Sequence, residues 1–215
     1  MQHDLFSQDS HQSLLQLSTQ AFVLKGFARE RDAALWQAVQ EVVAVAPWRQ
    51  LLTPGGRRMS VQTTNCGRWG WLSDAKGYRY EQLDPLRKAP WPAMPEAFSE
   101  LARVAAKAAD FANFEPDACL INCYQPGTRI GLHQDRDEDV LEAPIVSVSL
   151  GLSAQFLWGG EARSDRPQRI VLNHGDVVVW GGVDRLNYHG IATIMSGSHP
   201  LLGEQRINLT FRRAK

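Results

Sequence analysis

The chain has 215 residues, 44% of them hydrophobic and 21% charged, which suits one folded domain with a substantial core. Its net charge is zero, unlike that of a general nucleic-acid coat protein, and no apolar run reaches the ~20 residues of a membrane-spanning helix. The three cysteines, Cys66, Cys119 and Cys123, form no CxxC pair and fit a reducing compartment, so we expect a cytoplasmic protein without membrane attachment.

The first half of the chain predicts two helices. Residues 1–18 are polar without a clear period, so we expect a flexible arm there and a single domain over residues 19–215. Ala21–Leu24 is a short apolar run typical of a strand. Apolar residues recur at helical spacing over residues 30–45 and again over residues 95–109, where a proline suits the first turn.

The segment between the two helices is basic, aromatic and rich in turns. Residues 58–64 alternate weakly, like a strand, and residues 68–92 are typical of an irregular functional loop. Over residues 51–90, seven Lys and Arg side chains face three Asp and Glu, a surplus of four positive charges. This surplus suits contact with a phosphate backbone, and a solvated basic surface is the alternative.

Short strands separated by glycine-rich turns dominate the second half. The candidate strands are residues 118–124, 145–151, 154–158, 169–172, 177–180 and 206–212. Many short strands at fairly even spacing predict a sandwich or jelly roll. We therefore predict an α+β, mainly β chain with N-terminal helices, a lid at about residues 45–90 and a double-stranded β-helix (jelly-roll) core at about residues 115–213.

An H-x-D pair and a distant histidine predict a metal site. His133 and Asp135 point to the same side of an extended segment, so both can bind one ion. His189 follows far downstream. Two imidazoles and one carboxylate form the facial triad of non-haem iron(II) oxygenases. The H-x-D pair alone also fits a surface loop, but the second histidine and the arginine-bearing last strand favour the metal site.

The last predicted strand alternates strictly between apolar and polar side chains. Arg206, Asn208 and Arg212 share its polar face, which lines the barrel interior if this is an inner strand. Buried arginines need anionic partners, and 2-oxoglutarate has a carboxylate at each end. Asn122 and Tyr124 share one face of another strand and can donate hydrogen bonds to a carboxylate. An edge strand with solvated arginines is the alternative.

Ordered matches along most of the chain resemble the bacterial AlkB family of oxidative DNA-dealkylation repair enzymes. The matching segments are residues 53–56, 59–61, 64–67, 88–95, 116–122, 132–135, 144–152, 174–182, 188–191 and 208–212. So many matches in order are far more specific than an H-x-D pair alone.

The resemblance implies a dioxygenase that uses iron(II), 2-oxoglutarate and O2 and acts on DNA, and on RNA. Bases such as 1-methyladenine and 3-methylcytosine would lose their alkyl group as formaldehyde, with release of succinate and CO2. The implied catalytic metal ligands are His133, Asp135 and His189. The implied 2-oxoglutarate-binding residues are Asn122, Tyr124, Arg206, Asn208 and Arg212. The implied substrate-binding residues, several of them on a nucleotide-recognition lid, are Thr53, Met59, Trp71, Tyr78, Asp137 and Arg163.

We expect a base that leaves the duplex to stack between Trp71 on one face and the imidazole of His133 on the other. Asp137 would offset the positive charge of an alkylated base. An ordinary core tryptophan is the alternative for Trp71. Two positions depart from the family pattern: Arg57 replaces an expected aromatic residue near the nucleic-acid backbone, and Cys123 replaces an expected arginine. Arg57 bears on affinity and strand preference.

We expect a monomer. Two other functions remain open from the sequence. One is a 2-oxoglutarate-dependent hydroxylase of a protein or small molecule, and the other is a catalytically silent jelly-roll binding module.

Overall fold

The computed structural model describes residues 13–215, which contain two α-helices, two short 3-10 helices and fifteen strands. The helices are α1 (Asp32–Val45) and α2 (Glu96–Ala108). The strands before α2 are β1 (Leu14–Ser18), β2 (Ala21–Leu24), β3 (Gln62–Gly67), β4 (Gly70–Asp74), β5 (Gly77–Glu81), β6 (Leu83–Asp84) and β7 (Ala89–Pro90). Those after α2 are β8 (Ala118–Tyr124), β9 (Ile130–His133), β10 (Ile145–Gly151), β11 (Ala154–Trp158), β12 (Gln168–Leu172), β13 (Val177–Trp180), β14 (His189–Ile191) and β15 (Arg206–Arg212).

Two antiparallel sheets form the jelly roll. The larger has seven strands in the order β1-β2-β13-β10-β15-β8-β3, and the smaller has four in the order β12-β11-β14-β9. The hairpins β4–β5 and β6–β7 are separate two-stranded sheets between β3 and α2. This arrangement confirms the predicted α+β, mainly β fold with a jelly-roll core. None of the helices within residues 13–215 is long and apolar enough to cross a membrane.

Both helices pack against one face of the larger sheet. Leu35 of α1, Phe98 and Leu101 of α2, and Leu209 and Phe211 of β15 all belong to the same buried apolar cluster. The rings of Phe98 and Phe211 meet edge to face, with centroids 5.8 Å apart. Because side chains alternate along a strand, the polar residues of β15 must point away from the helices, into the space between the two sheets.

A second apolar cluster lies between the sheets. Its aromatic members include Phe156, Trp158 and Trp180, with the rings of Trp158 and Trp180 6.0 Å apart. This cluster fills part of the interior and leaves the remainder open as a cavity.

Strand β1 corrects the predicted flexible arm. Residues 1–12 lie outside the described part of the chain. Leu14–Ser18, however, pair with β2, with Leu14 opposite Leu24, and Leu17 is buried between the sheets. The prediction of a flexible arm over residues 1–18 is therefore wrong for Leu14–Ser18. The local sequence of Leu14–Ser18, LLQLS, is short and shows no clear alternation, so it does not predict a strand. The strand forms because its hydrogen-bond partners come from the neighbouring edge of the sheet.

The region that looked irregular by sequence is ordered as hairpins. Residues 68–92 contain β4–β5 and β6–β7, and the weak strand expected at residues 58–64 begins later, at Gln62. The β6–β7 hairpin is held by an ion pair: Arg49 donates to both carboxylate oxygens of Asp84, at 2.6 and 2.8 Å. The Asp84 side chain is fully buried and that of Arg49 is 10% exposed.

Replacing Asp84 with alanine should lower the free energy of unfolding by about 3–5 kcal/mol, because it leaves the buried Arg49 charge without a partner. Urea denaturation measures the loss. Asp74→Ala is the matched control, since Asp74 pairs with Arg79 on an exposed part of β4–β5 and should change stability little. Similar losses in the two variants would contradict the inference that only the Arg49 pair is desolvated.

Candidate active site

A cavity of about 590 Å³ opens between the two sheets beside the β4–β5 hairpin. Polar side chains from β8, β10 and β15 form one wall, among them Asn122, Ser147, Asn208 and Thr210. The strand register brings them together, because Asn208 lies opposite Asn122. They also bond to one another: the amide of Asn208 donates to the Ser147 hydroxyl, and the Thr210 hydroxyl donates to Asn208, both at 2.8 Å.

The two predicted histidine ligands and the aspartate converge at this cavity. His133 ends β9 and His189 begins β14, and the pairing of these strands places the residues opposite each other, with ring centroids 4.4 Å apart. Asp135 lies just beyond β9. Its Oδ1 is 3.6 Å from His133 Nε2 and its Oδ2 is 3.8 Å from His189 Nε2. One ligand atom from each residue lies within 4.8 Å of the others.

Backbone contacts prepare both imidazoles for a metal. The Nδ1 atom of His133 is 3.0 Å from the Gly131 carbonyl oxygen, and that of His189 is 3.0 Å from the Asn187 carbonyl oxygen. An Nδ1–H that donates to a carbonyl leaves the Nε2 lone pair free to bind a cation. Two such nitrogens and one carboxylate are a donor set that fits iron(II) with coordination positions to spare.

Electrostatics keep Asp135 and His189 in their metal-binding protonation states. Burial alone would raise the pKa of Asp135, but Arg212 and then the two imidazoles hold it well below the usual range. Arg212 donates both Nε, at 3.0 Å, and Nη2 to Asp135 Oδ2. Burial, and then the neighbouring His133, lowers the pKa of His189 to about 4. At neutral pH the carboxylate is therefore charged and the His189 ring is neutral.

Arg206 is a fully buried cation that has no anionic partner among the described residues. Its Nη2 donates to the Ser149 hydroxyl at 2.8 Å, whereas its Nε and Nη1 have no hydrogen-bond partner within residues 13–215. Burial lowers its pKa to about 10, so the guanidinium stays protonated at neutral pH. Its guanidinium carbon lies over the ring of Tyr124, 6.0 Å from the centroid. An unpaired buried guanidinium beside the metal-binding cavity fits a carboxylate of 2-oxoglutarate.

The structure places nearly all of the predicted site residues around this one cavity. Besides the three metal ligands, its walls include Asn122, Tyr124, Asn208, Arg212, Thr53, Met59, Trp71, Tyr78, Asp137 and Arg163. Arg206 is buried behind Tyr124. The two departures from the family pattern lie elsewhere: Cys123 packs in the cluster on the helix side of the sheet, and Arg57 is exposed on the turn before β3.

Trp71 is held by three contacts at the cavity wall. Its ring stacks on Tyr78, with centroids 5.5 Å apart and planes 14° apart. Its Nε1 donates to Asp137 Oδ2 at 2.9 Å. The side-chain amide of Asn65 bonds to the backbone N–H and carbonyl of Trp71, at 3.0 and 3.1 Å. This is not the environment of an ordinary core tryptophan, because the ring borders an open cavity.

Sequence reasoning missed several residues of this site. Arg129 and Arg136 line the cavity and flank the H-x-D segment, so their position next to that motif was the available signal. Glu138 and Arg185 are buried and bonded to each other and to the metal-ligand segment. Their contacts join distant parts of the chain, and no local pattern marks them.

A jelly roll with a His-x-Asp…His cluster and an unpaired buried guanidinium defines the class of non-haem iron oxygenases that consume an oxo-acid. Comparisons with known proteins agree with this class. The model of the 2OG-Fe(II) oxygenase superfamily matches residues 20–212. The alpha-ketoglutarate-dependent dioxygenase AlkB of Salmonella typhimurium is 54% identical over 198 residues, which cover 92% of each chain.

Two further comparisons extend the likeness. The DNA N(6)-methyladenine demethylase ALKBH1D of Arabidopsis thaliana is 44% identical over 108 residues, covering 45% of this chain and 24% of that one. The solved structure of OsALKBH1 has a TM-score of 0.82 at 28% identity, and covers 94% of this chain and 100% of that one. The chain belongs to the 2OG-Fe(II) oxygenase superfamily, within the bacterial AlkB family, and is an iron(II)- and 2-oxoglutarate-dependent dioxygenase.

Acidification should destabilise the metal-free protein in a window set by His189. Its pKa is about 4 when folded, against ~6.5 in an unfolded chain, so the unfolded state binds more protons between these values and stability rises with pH. His189→Gln should reduce the slope by up to about 1.4 kcal/mol per pH unit. Urea denaturation in the presence of EDTA from pH 4 to pH 7 measures the slope. Equal slopes in wild type and variant would contradict the shift.

Proposed function

We propose that this dioxygenase removes alkyl groups oxidatively from N-alkylated bases of DNA, and of RNA. Iron(II) is the cofactor and 2-oxoglutarate and O2 are the cosubstrates, and succinate, CO2 and formaldehyde are released. One observation carries the proposal: a single cavity joins the iron-ligand cluster to a stacking pair of aromatic rings and to a basic rim. Its similarity to AlkB over 92% of both chains supports the same activity.

His133, Asp135 and His189 would hold iron(II), which, with 2-oxoglutarate and O2, supplies the oxidation of a C–H bond in the N-alkyl group. The chain itself binds, orients and shields the reactants. Arg212 fixes the Asp135 carboxylate through its Oδ2, which leaves Oδ1 for the metal. Hydroxylation of an N-methyl carbon gives an N–CH2–OH group. Its C–N bond then breaks, the carbon leaves as formaldehyde and the hydroxyl proton passes to the base, so the protein supplies no nucleophile for this step.

Arg206 is our main candidate for binding 2-oxoglutarate, because two of its guanidinium nitrogens, Nε and Nη1, lack hydrogen-bond partners in the described structure. Tyr124 and Asn122 share the cavity-facing side of β8 and supply neutral donors next to it. Burial raises the pKa of Tyr124, so its hydroxyl keeps its proton. Asn208 and Arg212 complete the predicted binding set, with Arg212 acting mainly through Asp135.

The substrate side of the cavity suits a flat, cationic base. A base that leaves its stack can lie against Trp71, with the half-exposed ring of His133 available on the other side. Asp137 uses only Oδ2 to bind Trp71, so Oδ1 can face a positively charged alkylated ring. Arg129, Arg136 and Arg163 stand exposed around the opening and suit a phosphate backbone.

Three broader features are part of the same proposal. We infer one catalytic domain over the predicted residues 19–215, extended at its start by strand β1 (Leu14–Ser18). It has a nucleotide-recognition lid at about residues 45–90 and the jelly-roll core at about residues 115–213. One chain supplies the whole cavity, which supports activity as a monomer. The cysteines Cys66, Cys119 and Cys123 are all free and buried, which supports a cytoplasmic location.

Methylated oligonucleotides separate this function from hydroxylation of a protein or small molecule. The purified enzyme should release formaldehyde from DNA and RNA oligonucleotides that contain 1-methyladenine or 3-methylcytosine. Mass spectrometry should then detect the unmodified base in the oligonucleotide. Trp71→Ala should lower this turnover about tenfold, because stacking is worth ~1–3 kcal/mol per base. It should change oligonucleotide-independent 2-oxoglutarate consumption much less. No formaldehyde release from any methylated oligonucleotide would reject the proposal.

Arg206→Met should leave the ligand-free protein as thermally stable as wild type or more stable, because it removes an unpaired buried charge. The same variant should lose the rise in melting temperature that 2-oxoglutarate gives in the presence of Mn(II). Arg169→Met, which changes an exposed arginine of β12, is the control and should keep that rise. A normal 2-oxoglutarate response in Arg206→Met would remove Arg206 from the binding site.

A further inference from the structure

The β4–β5 hairpin makes two side-chain hydrogen bonds to the segment that carries the metal ligand Asp135. Trp71 donates to Asp137 at 2.9 Å, and the Tyr80 hydroxyl donates to Glu138 Oε1 at 2.6 Å. Trp71 and Tyr80 lie directly opposite each other in the hairpin, so both bonds leave from the same face. The proposed stacking residue and the metal ligand are therefore joined by two short routes.

Glu138 is the centre of a buried polar network. Its side chain is 2% exposed and meets donors from three separate parts of the fold. Besides Tyr80 of β5, these are Arg185 after β13, whose Nη2 is 3.0 Å from Oε2, and Arg212 of β15, whose Nε is 3.2 Å from Oε1. A buried carboxylate that loses one of these donors loses a charge-assisted hydrogen bond that water cannot readily replace.

The same two arginines also hold Asp135. Arg212 donates to its carboxylate, and Arg185 Nη1 donates to its backbone carbonyl oxygen at 2.6 Å. Asp135 and Glu138 therefore share both cations: Arg212 contacts both carboxylates, and Arg185 joins the Glu138 carboxylate to the Asp135 backbone. Arg212 contacts both carboxylates, so a cation bound at Asp135 would change how strongly Arg212 interacts with each of them.

We propose that Glu138 is a positioning residue that couples the lid hairpin to the metal site through Tyr80. Metal and cosubstrate binding tighten the network, which holds the hairpin and Trp71 in place over the cavity. Binding of an alkylated nucleic acid against Trp71 in turn favours the metal-bound arrangement, because coupling between two sites is reciprocal. The nucleic-acid part of this inference rests on the proposed function.

The coupling can be measured without turnover. The probe is a fluorescent single-stranded oligonucleotide with one 3-methylcytosine, and anisotropy gives its Kd without metal and again with Mn(II) plus 2-oxoglutarate. The ratio of the two values reports the coupling. In wild type, the loaded protein should bind the oligonucleotide more tightly.

Tyr80→Phe removes one oxygen atom and should reduce this ratio about tenfold, or ~1.4 kcal/mol, while the Kd without metal changes much less. Glu138→Gln should lose a similar factor and also bind Mn(II) more weakly in a direct titration. The double variant should lose no more of the ratio than Glu138→Gln alone, since both changes break the same bond. Glu142→Gln, an exposed neighbour in the same segment, is the control and should keep the wild-type ratio.

A wild-type ratio in Tyr80→Phe, or losses that add in the double variant, would overturn the coupling. So would equal oligonucleotide affinity of the loaded and unloaded wild type. Should Glu138→Gln not unfold cooperatively, Tyr80→Phe decides the matter alone. Formaldehyde release by wild type tests the proposed function separately, so an active enzyme with an unchanged ratio would reject only the coupling.

Discussion

Strand β15 can place its apolar side chains in the core and its polar side chains at the cavity in only one register. The rest of the structure depends on that register. All seven of its residues are buried. Ile207, Leu209 and Phe211 pack under the helices, which leaves Arg206 and Arg212 on the side of the cavity. A slip of one residue would press both guanidinium groups into an apolar core and turn the apolar side chains towards the metal site.

The two arginines of this strand have opposite electrostatic situations. Arg212 is compensated by Asp135 and Glu138, so its charge serves the fold and orients a metal ligand. Arg206 meets only a hydroxyl and an aromatic ring among the described residues. A buried cation without an anionic partner lowers the stability of the ligand-free protein. Such a cost is tolerated at a functional site where a bound anion pairs with the cation. This contrast is the reason why we propose a structural role for Arg212 and a 2-oxoglutarate-binding role for Arg206.

The β4–β5 hairpin, part of the proposed lid, is bonded directly to the segment that carries the metal ligand Asp135. Trp71 is clamped by Asn65, Tyr78 and Asp137, and its partner across the hairpin, Tyr80, reaches Glu138. A base stacked on Trp71 therefore contacts a ring whose position depends on the metal-ligand segment. Such a connection suits an oxidising enzyme, because it links metal and cosubstrate binding to substrate binding.

Local pattern was sufficient for the elements with a strong period. The predicted strands at residues 118–124, 145–151, 154–158, 177–180 and 206–212 agree with β8, β10, β11, β13 and β15, and both helices begin within two residues of their expected starts. The His-x-Asp spacing and the resemblance to AlkB likewise identified the metal cluster and the cavity residues. These features survive in a sequence because each depends on residues close together in the chain or on a matched motif.

Tertiary structure alone decided the remainder. Strands β9 and β14 are short and contain glycine, so they exist because they pair, and that pairing sets His133 opposite His189. Leu14–Ser18 became a strand for the same reason. The positions of long side chains from distant segments decide three further features. These are the partners of Arg212, the unpaired state of Arg206 and the contact of Tyr80 with Glu138. Sequence determines which charges and periods a chain contains, but only the packing of its sheets determines which charges meet.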